Sequence, residues 1–114
     1  MSVVIYHNPR CSKSRQTLAL LEEKGIEPTV VKYLEEPLSV ALLKDLYSQL
    51  GLTDVRQMMR TKEDVYKQLN LAEAPDDALF DAMVANPKLI ERPIVVANGK
   101  AKHGRPPEQV LDIL

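Results

Sequence analysis

The chain has one cysteine among its 114 residues, Cys11, so no intramolecular disulfide can form. The same scarcity removes a structural zinc centre, because one cysteine and two histidines fall short of four ligands. A C-x-x-C redox pair is missing too, since position 14 is Ser14. Charge of one sign is also lacking. With 15 Lys and Arg against 16 Asp and Glu, the formal net charge is -1. General nucleic-acid binding relies on a clear basic excess, so no nucleic-acid partner is expected, although opposite charges can hide a local basic pocket in the sum. No apolar run approaches the roughly 18 residues of a membrane span, and no N-terminal apolar stretch has signal-peptide length. No membrane partner is therefore expected, and the chain reads as cytoplasmic, where a free thiol stays reduced. Repeats, low-complexity tracts and linkers are absent, which leaves one domain over 1–114 as the simplest reading.

What is present is a run of short elements. VVIYH, 3–7, is apolar and β-branched, as a buried strand is. Ser12 or Ser14 opens a helix in which Thr17, Leu18 and Leu21 share a face, and Gly25 is placed to end it. PTVVKYL, 28–34, alternates like a second strand, so the start reads β-α-β with a parallel pair. The middle is helical. Ser39 caps a seam of Val40, Leu43, Tyr47 and Leu50 that Gly51 stops, and Thr53 caps a short helix presenting Val55, Met58 and Met59. Val65 and Leu69 suggest another turn or two, and Pro75-Asp76-Asp77 opens a helix carrying Leu79, Phe80 and Met83 that ends at Asn86-Pro87. IVVA, Asn98-Gly99 and KAKH give a hairpin over 94–103, and RPPEQVLDIL closes as a helix. The predicted fold class is α/β: a thioredoxin-like fold, with a mixed β-sheet flanked by helices and a helical insertion between the β-α-β and β-β-α halves.

Cys11 falls at the first strand-to-helix turn, inside HNPRCSKSRQTL. A cysteine at a helix start meets unpaired backbone N–H groups and the positive end of the helix dipole, and both favour thiolate. His7, Arg10, Lys13 and Arg15 stand to add positive potential. The same N–H groups bind anions, so a thiolate and an oxyanion share one pocket. Inert burial is the common fate of a free cysteine, and the basic flanks argue against it here. A phosphatase loop does not fit, because that loop needs its arginine six positions after the cysteine and Arg15 is four after Cys11.

HNPRCSKSRQTL, followed in order by EPTVVKYL, VRQMMR, ERPIVV and RPPE, strongly resembles the glutaredoxin-dependent arsenate reductases over essentially the whole chain. The resemblance implies a thioredoxin-like fold, Cys11 as nucleophile, and three arginines that hold the oxyanion: Arg60 after VRQMM, Arg92 before a cis-proline at Pro93, and Arg105 in GRPPE. His7 and Ser14 match the supporting histidine and hydroxyl. The implied chemistry is attack of the Cys11 thiolate on arsenate, with glutathione as reductant, glutaredoxin as the partner that reduces the mixed disulfide, and no permanently bound cofactor. Guanidinium suits this task as a planar, bidentate and permanently charged donor. Arg56, by contrast, reads as a solvated surface arginine.

Ser12-Lys13 departs from the smaller residues typical of these reductases and sets an extra cation by the site. Two other readings stay open on sequence alone. One is a related thiol-dependent reductase with another substrate, since the fold hosts many chemistries. The other is a non-enzymatic redox regulator of the same superfamily, against which the absent C-x-x-C counts.

Overall fold

Strands from the two ends of the chain share one sheet in the computed structural model, which describes residues 2–114. The chain divides into two compact units: one made of the segments up to Glu36 and from Arg92 onward, the other of Pro37–Glu91. In the first, β1 (Val3–Tyr6), α1 (Ser12–Glu23), β2 (Thr29–Val31), β3 (Ile94–Ala97) and β4 (Lys100–His103) build a four-stranded sheet in the order β2-β1-β3-β4. β1 pairs parallel with β2 and antiparallel with β3, and β3 pairs antiparallel with β4. This is the thioredoxin-like arrangement that the element order predicts.

The central strands, β1 and β3, are apolar throughout, and most of their residues are buried. Opposed pairs Val3–Ala97 and Ile5–Val95 point to one face, where they pack with Leu21 of α1 and with Val110 and Ile113. Each large aliphatic side chain buried this way contributes roughly 1.5–3 kcal/mol. β2 is shorter than the alternating 28–34 pattern suggests. Its continuation folds into a turn in which the Lys32 carbonyl accepts from Glu35 and Glu36 N–H, each at 2.9 Å, and the Glu36 carboxylate accepts the Lys32 N–H at 3.1 Å. These local bonds take the backbone groups that a ladder would use.

The closing segment is helical, as the sequence suggests, and its helix over Pro107–Ile113 is of the 3-10 kind. Its buried residues Pro107, Val110 and Ile113 recur every third position, which three residues per turn aligns on one side. Asn98 and Gly99 both have positive φ, 55° and 76°, as a two-residue hairpin turn between twisted strands requires. The Arg92–Pro93 and Arg105–Pro106 bonds are both cis. Gly104 lies between these arginine-proline pairs in space and donates its N–H to the Pro93 carbonyl at 3.1 Å. A methyl group on it would meet the Thr17 hydroxyl of α1 and come within 2.8 Å of Pro93 Cγ, so α1 and the Pro93 turn close on a bare α-carbon.

The second unit is the helical insertion: α2 (Val40–Leu50), α3 (Asp64–Gln68) and α4 (Asp76–Ala85), with short 3-10 segments between. Ser39 Oγ accepts the Leu42 N–H at 3.1 Å, and Gly51, at φ 69°, ends α2. The buried positions of α2 are Leu43 and Leu46, with Val40, Tyr47 and Leu50 only half-buried beside them. Tyr47 meets Phe80 of α4 edge-on at 6.0 Å. Asp54, not Thr53, caps the 3-10 segment Val55–Met58, accepting the Arg56 N–H at 2.9 Å while Gln57 Oε1 accepts the Asp54 N–H at 3.2 Å. α3 is only five residues long and buries Tyr66; Leu69 falls beyond its last turn and is 49% exposed. Arg56 is not a solvated arginine. Its Nη2 donates to the Leu71 and Ala74 carbonyls, both at 2.8 Å, tying two segments of this unit together. Among the described residues no helix is long and apolar enough to cross a membrane.

Gly104→Ala is expected to lower stability by about 1–3 kcal/mol through overpacking, read as a fall in the urea midpoint with unchanged slope. Thr17→Ala in the same chain should recover part of the loss, and an unchanged midpoint for Gly104→Ala would contradict the close approach.

Candidate active site at the start of the first helix

β1 runs out at Tyr6, but the backbone stays tied to the sheet because the His7 N–H donates to the Val31 carbonyl at 2.8 Å. The chain then turns sharply. The Asn8 carbonyl accepts the Cys11 N–H at 3.0 Å, and Asn8 Oδ1 accepts the Arg10 N–H at 3.0 Å. Cys11 follows in extended geometry, φ -94° and ψ 125°, as the residue that caps α1. Its carbonyl accepts the Arg15 N–H at 3.0 Å, while no side chain makes a capping hydrogen bond at the helix start. The N–H groups of Ser14 and Lys13 instead serve the Cys11 sulfur.

Two arginines from the other end of the chain reach the same sulfur. Arg92 hydrogen-bonds it, and Arg105 Nη2 lies 3.7 Å from it. Arg105 Nε also donates to the Arg92 carbonyl at 2.8 Å, so the two are positioned as a pair. Burial is the largest single influence on the Cys11 thiol and pushes it up. The Ser14 N–H, the hydrogen bond and charge of Arg92, and the Lys13 N–H together outweigh burial, and the thiol lies below its ordinary value. Cys11 as a whole residue is buried, with 9% of its surface exposed.

Ser14 is wholly buried, and its hydroxyl sits between two partners: His7 Nδ1 at 2.6 Å and the Asn8 N–H, which it accepts at 3.0 Å. The pair fixes the turn from inside. His7 is pushed below its ordinary value by burial first, then by the charges of Lys32 and Arg15. The shift disfavours the charged imidazole, so the positive potential at the turn comes from the arginines and lysines rather than from His7. Arg15 acts mainly on the turn as well, donating to the Pro9 carbonyl at 2.9 Å.

The structure thus brings Cys11, Arg92, Arg105, His7 and Ser14 together within the first unit. Arg60 belongs to the second. There its N–H donates to the Leu89 carbonyl at 2.7 Å, and its guanidinium is shared between Glu63 at 3.1 Å and Glu91 at 3.7 Å. Residue-level reading alone missed Asn8, whose turn-forming side chain is legible only as a general turn preference, and Gly104, whose role depends on a contact across the fold. Among the described residues no group of three or more His, Cys, Asp or Glu side chains is gathered to hold a metal ion.

The sequence pattern of the ArsC family matches residues 6–113. A solved arsenate reductase from Vibrio cholerae has a TM-score of 0.98 and 70% identity, covering 100% of this chain and 98% of its own. An arsenate reductase of Haemophilus influenzae is 57% identical over 116 residues, with 100% of both chains covered. The uncharacterized protein YfgD of Escherichia coli K12 is 64% identical over 114 residues, covering 98% of this chain and 96% of its own.

The depressed thiol has a direct readout. The rate of Cys11 alkylation against pH should show a midpoint below the ordinary thiol value of about 8.5. Arg92→Gln should move that midpoint upward, since it removes both a hydrogen bond and a charge from the thiolate. A wild-type midpoint at the ordinary value would contradict the activation.

Proposed function

The chain belongs to the ArsC family, and from that premise we propose that it is an arsenate reductase that draws its electrons from glutathione and glutaredoxin. The observation that carries the reading is the pairing of one depressed thiol with two guanidinium groups, Arg92 bonded to the sulfur and Arg105 3.7 Å from it. A nucleophile and donors for oxyanion oxygens share one small space, as attack at a tetrahedral oxyanion requires.

Arsenate carries a charge near -2 at neutral pH, and two guanidinium groups offset it while leaving the arsenic open to the sulfur. The Cys11 thiolate forms a sulfur–arsenic bond as one arsenic–oxygen bond breaks, and the departing oxygen takes up protons and leaves as water. The glutathione thiol then supplies the second sulfur. Two electrons pass from the sulfur pair to arsenic, As(V) becomes As(III), arsenite leaves, and Cys11 is joined to glutathione as a mixed disulfide. A glutaredoxin thiolate next attacks the glutathione sulfur, takes the glutathionyl group and frees the Cys11 thiolate. With Cys11 the only cysteine of the chain, the second sulfur has to come from outside, which favours external thiols over an internal redox pair. No permanently bound cofactor is needed, and the reducing cytoplasm is the compartment in which such thiols are supplied.

His7 and Ser14 support the nucleophile by fixing the turn that carries it. Arg60 is the proposed third arm of the clamp, on the strength of its match to VRQMMR. Its charge is already offset by Glu63 and Glu91, so it contributes less to anion binding than Arg92 or Arg105.

Purified protein with glutathione, glutaredoxin and arsenate should form arsenite, and Cys11→Ser should abolish this while remaining folded. Arg92→Lys and Arg105→Lys keep the charge but lose the two-pronged donor. Each should lose on the order of tenfold in kcat/KM, about 1.4 kcal/mol of transition-state binding, with a smaller loss for Arg60→Lys. No arsenite from the wild-type protein beside a working glutaredoxin would overturn the reading in favour of a thiol reductase with another substrate.

A further inference from the structure

Next to the Cys11 turn, the same unit opens into a second concavity. The stretch 7–10 forms one wall, and Lys32, Leu34 and Glu35 form the other, around a cleft of about 290 Å³. That is near the lower limit, about 300 Å³, for clefts that hold small ligands. Cys11 is the next residue after the first wall, and the Asn8 carbonyl in that wall accepts the Cys11 N–H at 3.0 Å. The second is held by its own turn, in which the Lys32 carbonyl and N–H are taken by Glu35 and Glu36. Those bonds fix the backbone and leave the Lys32 and Glu35 side chains at the rim. Among the described residues, none of Arg10, Lys32 and Glu35 is in an ion pair. Lys32 and His7 line the cleft from its two walls. Leu34, 46% exposed, adds an apolar surface beside these charges.

We propose that this cleft seats glutathione, with its two carboxylates toward Arg10 and Lys32, its ammonium toward Glu35 and its thiol turned toward Cys11. The proposal rests on glutathione being the reductant and adds where the tripeptide binds. At neutral pH glutathione carries two carboxylates and one ammonium, the inverse of the two cations and one carboxylate on the rim. A second arsenate would gain nothing from Glu35 or Leu34. The larger cleft of about 520 Å³ between α1 and the closing segment has the opposite balance, with Glu23 and Glu108 against Lys13, and repels a ligand with two carboxylates.

Two measurements test the site. Lys32→Glu should raise the KM for glutathione about fivefold or more, the scale of an exposed charge pair lost and reversed, while the KM for arsenate and kcat hold. Lys100→Glu, the same charge change on β4, should alter neither. An unchanged glutathione KM in Lys32→Glu, or an equal rise for arsenate, overturns the proposal. Independently of turnover, the unreactive S-methylglutathione should shift the backbone amide resonances of His7, Arg10, Lys32 and Glu35 in the wild-type protein, and in Lys32→Glu the remaining shifts should need about fivefold or more ligand. Absence of those shifts overturns the site. Shifts in a protein that makes no arsenite with glutathione support the site and sink the reductant assignment alone.

Discussion

At the start of α1, backbone N–H groups without a side-chain capping bond meet the sulfur of Cys11. A helix start always leaves such donors, and most proteins satisfy them with Ser, Thr, Asp or Asn. Here no side chain makes that capping bond, and the Ser14 and Lys13 N–H groups favour the ionised form of the Cys11 thiol beside them. Much of the first unit can be understood as holding that geometry. β1 delivers the chain to the turn, Asn8 folds it back, and buried Ser14 bonds both His7 and the Asn8 N–H from the first turn of the helix. The cost is that a buried thiol resists charging, and the N–H groups alone share the task with Arg92.

That second contribution comes from the far end of the sequence. β3 and β4 return antiparallel beside β1, and the residues flanking them, Arg92 and Arg105, arrive at the sulfur together. Gly104 permits this approach, since any side chain there would separate α1 from Pro93. A net charge of -1 therefore coexists with a local excess of positive charge around one atom. Bulk charge excludes partners that need a broad basic face and is silent about a pocket built from two guanidinium groups.

The sheet, the hairpin and the helical insertion were legible in the sequence because they follow from apolar periodicity and from residues with fixed backbone roles, such as Ser39, Gly51 and Asn98-Gly99. Cys11 was legible as a candidate because its strand-helix position has a physical consequence by itself. Arg92 and Arg105 were not legible that way. The likeness to a known family picked them out, and the one local sign was that Pro93 after Arg92 opens an apolar strand, which argues against a surface role for that arginine. The errors have a common origin in competition between local and long-range bonds. Local bonds of Glu36 cut β2 short, and two distant carbonyls made Arg56 a tie instead of a surface charge. Burial and the charges of Lys32 and Arg15, none of them legible from residue type, hold His7 below its ordinary value.

The account stands on the Cys11 sulfur and the Arg92–Arg105 pair acting on one oxyanion. A crystal structure of the protein exposed to arsenate, without any thiol, tests this most directly. The expected result is arsenic bonded to Cys11 Sγ, with its oxygens accepting hydrogen bonds from the guanidinium groups of Arg92 and Arg105. Arsenate bound elsewhere, or an unmodified Cys11 at saturating arsenate with both arginines turned away, would contradict it.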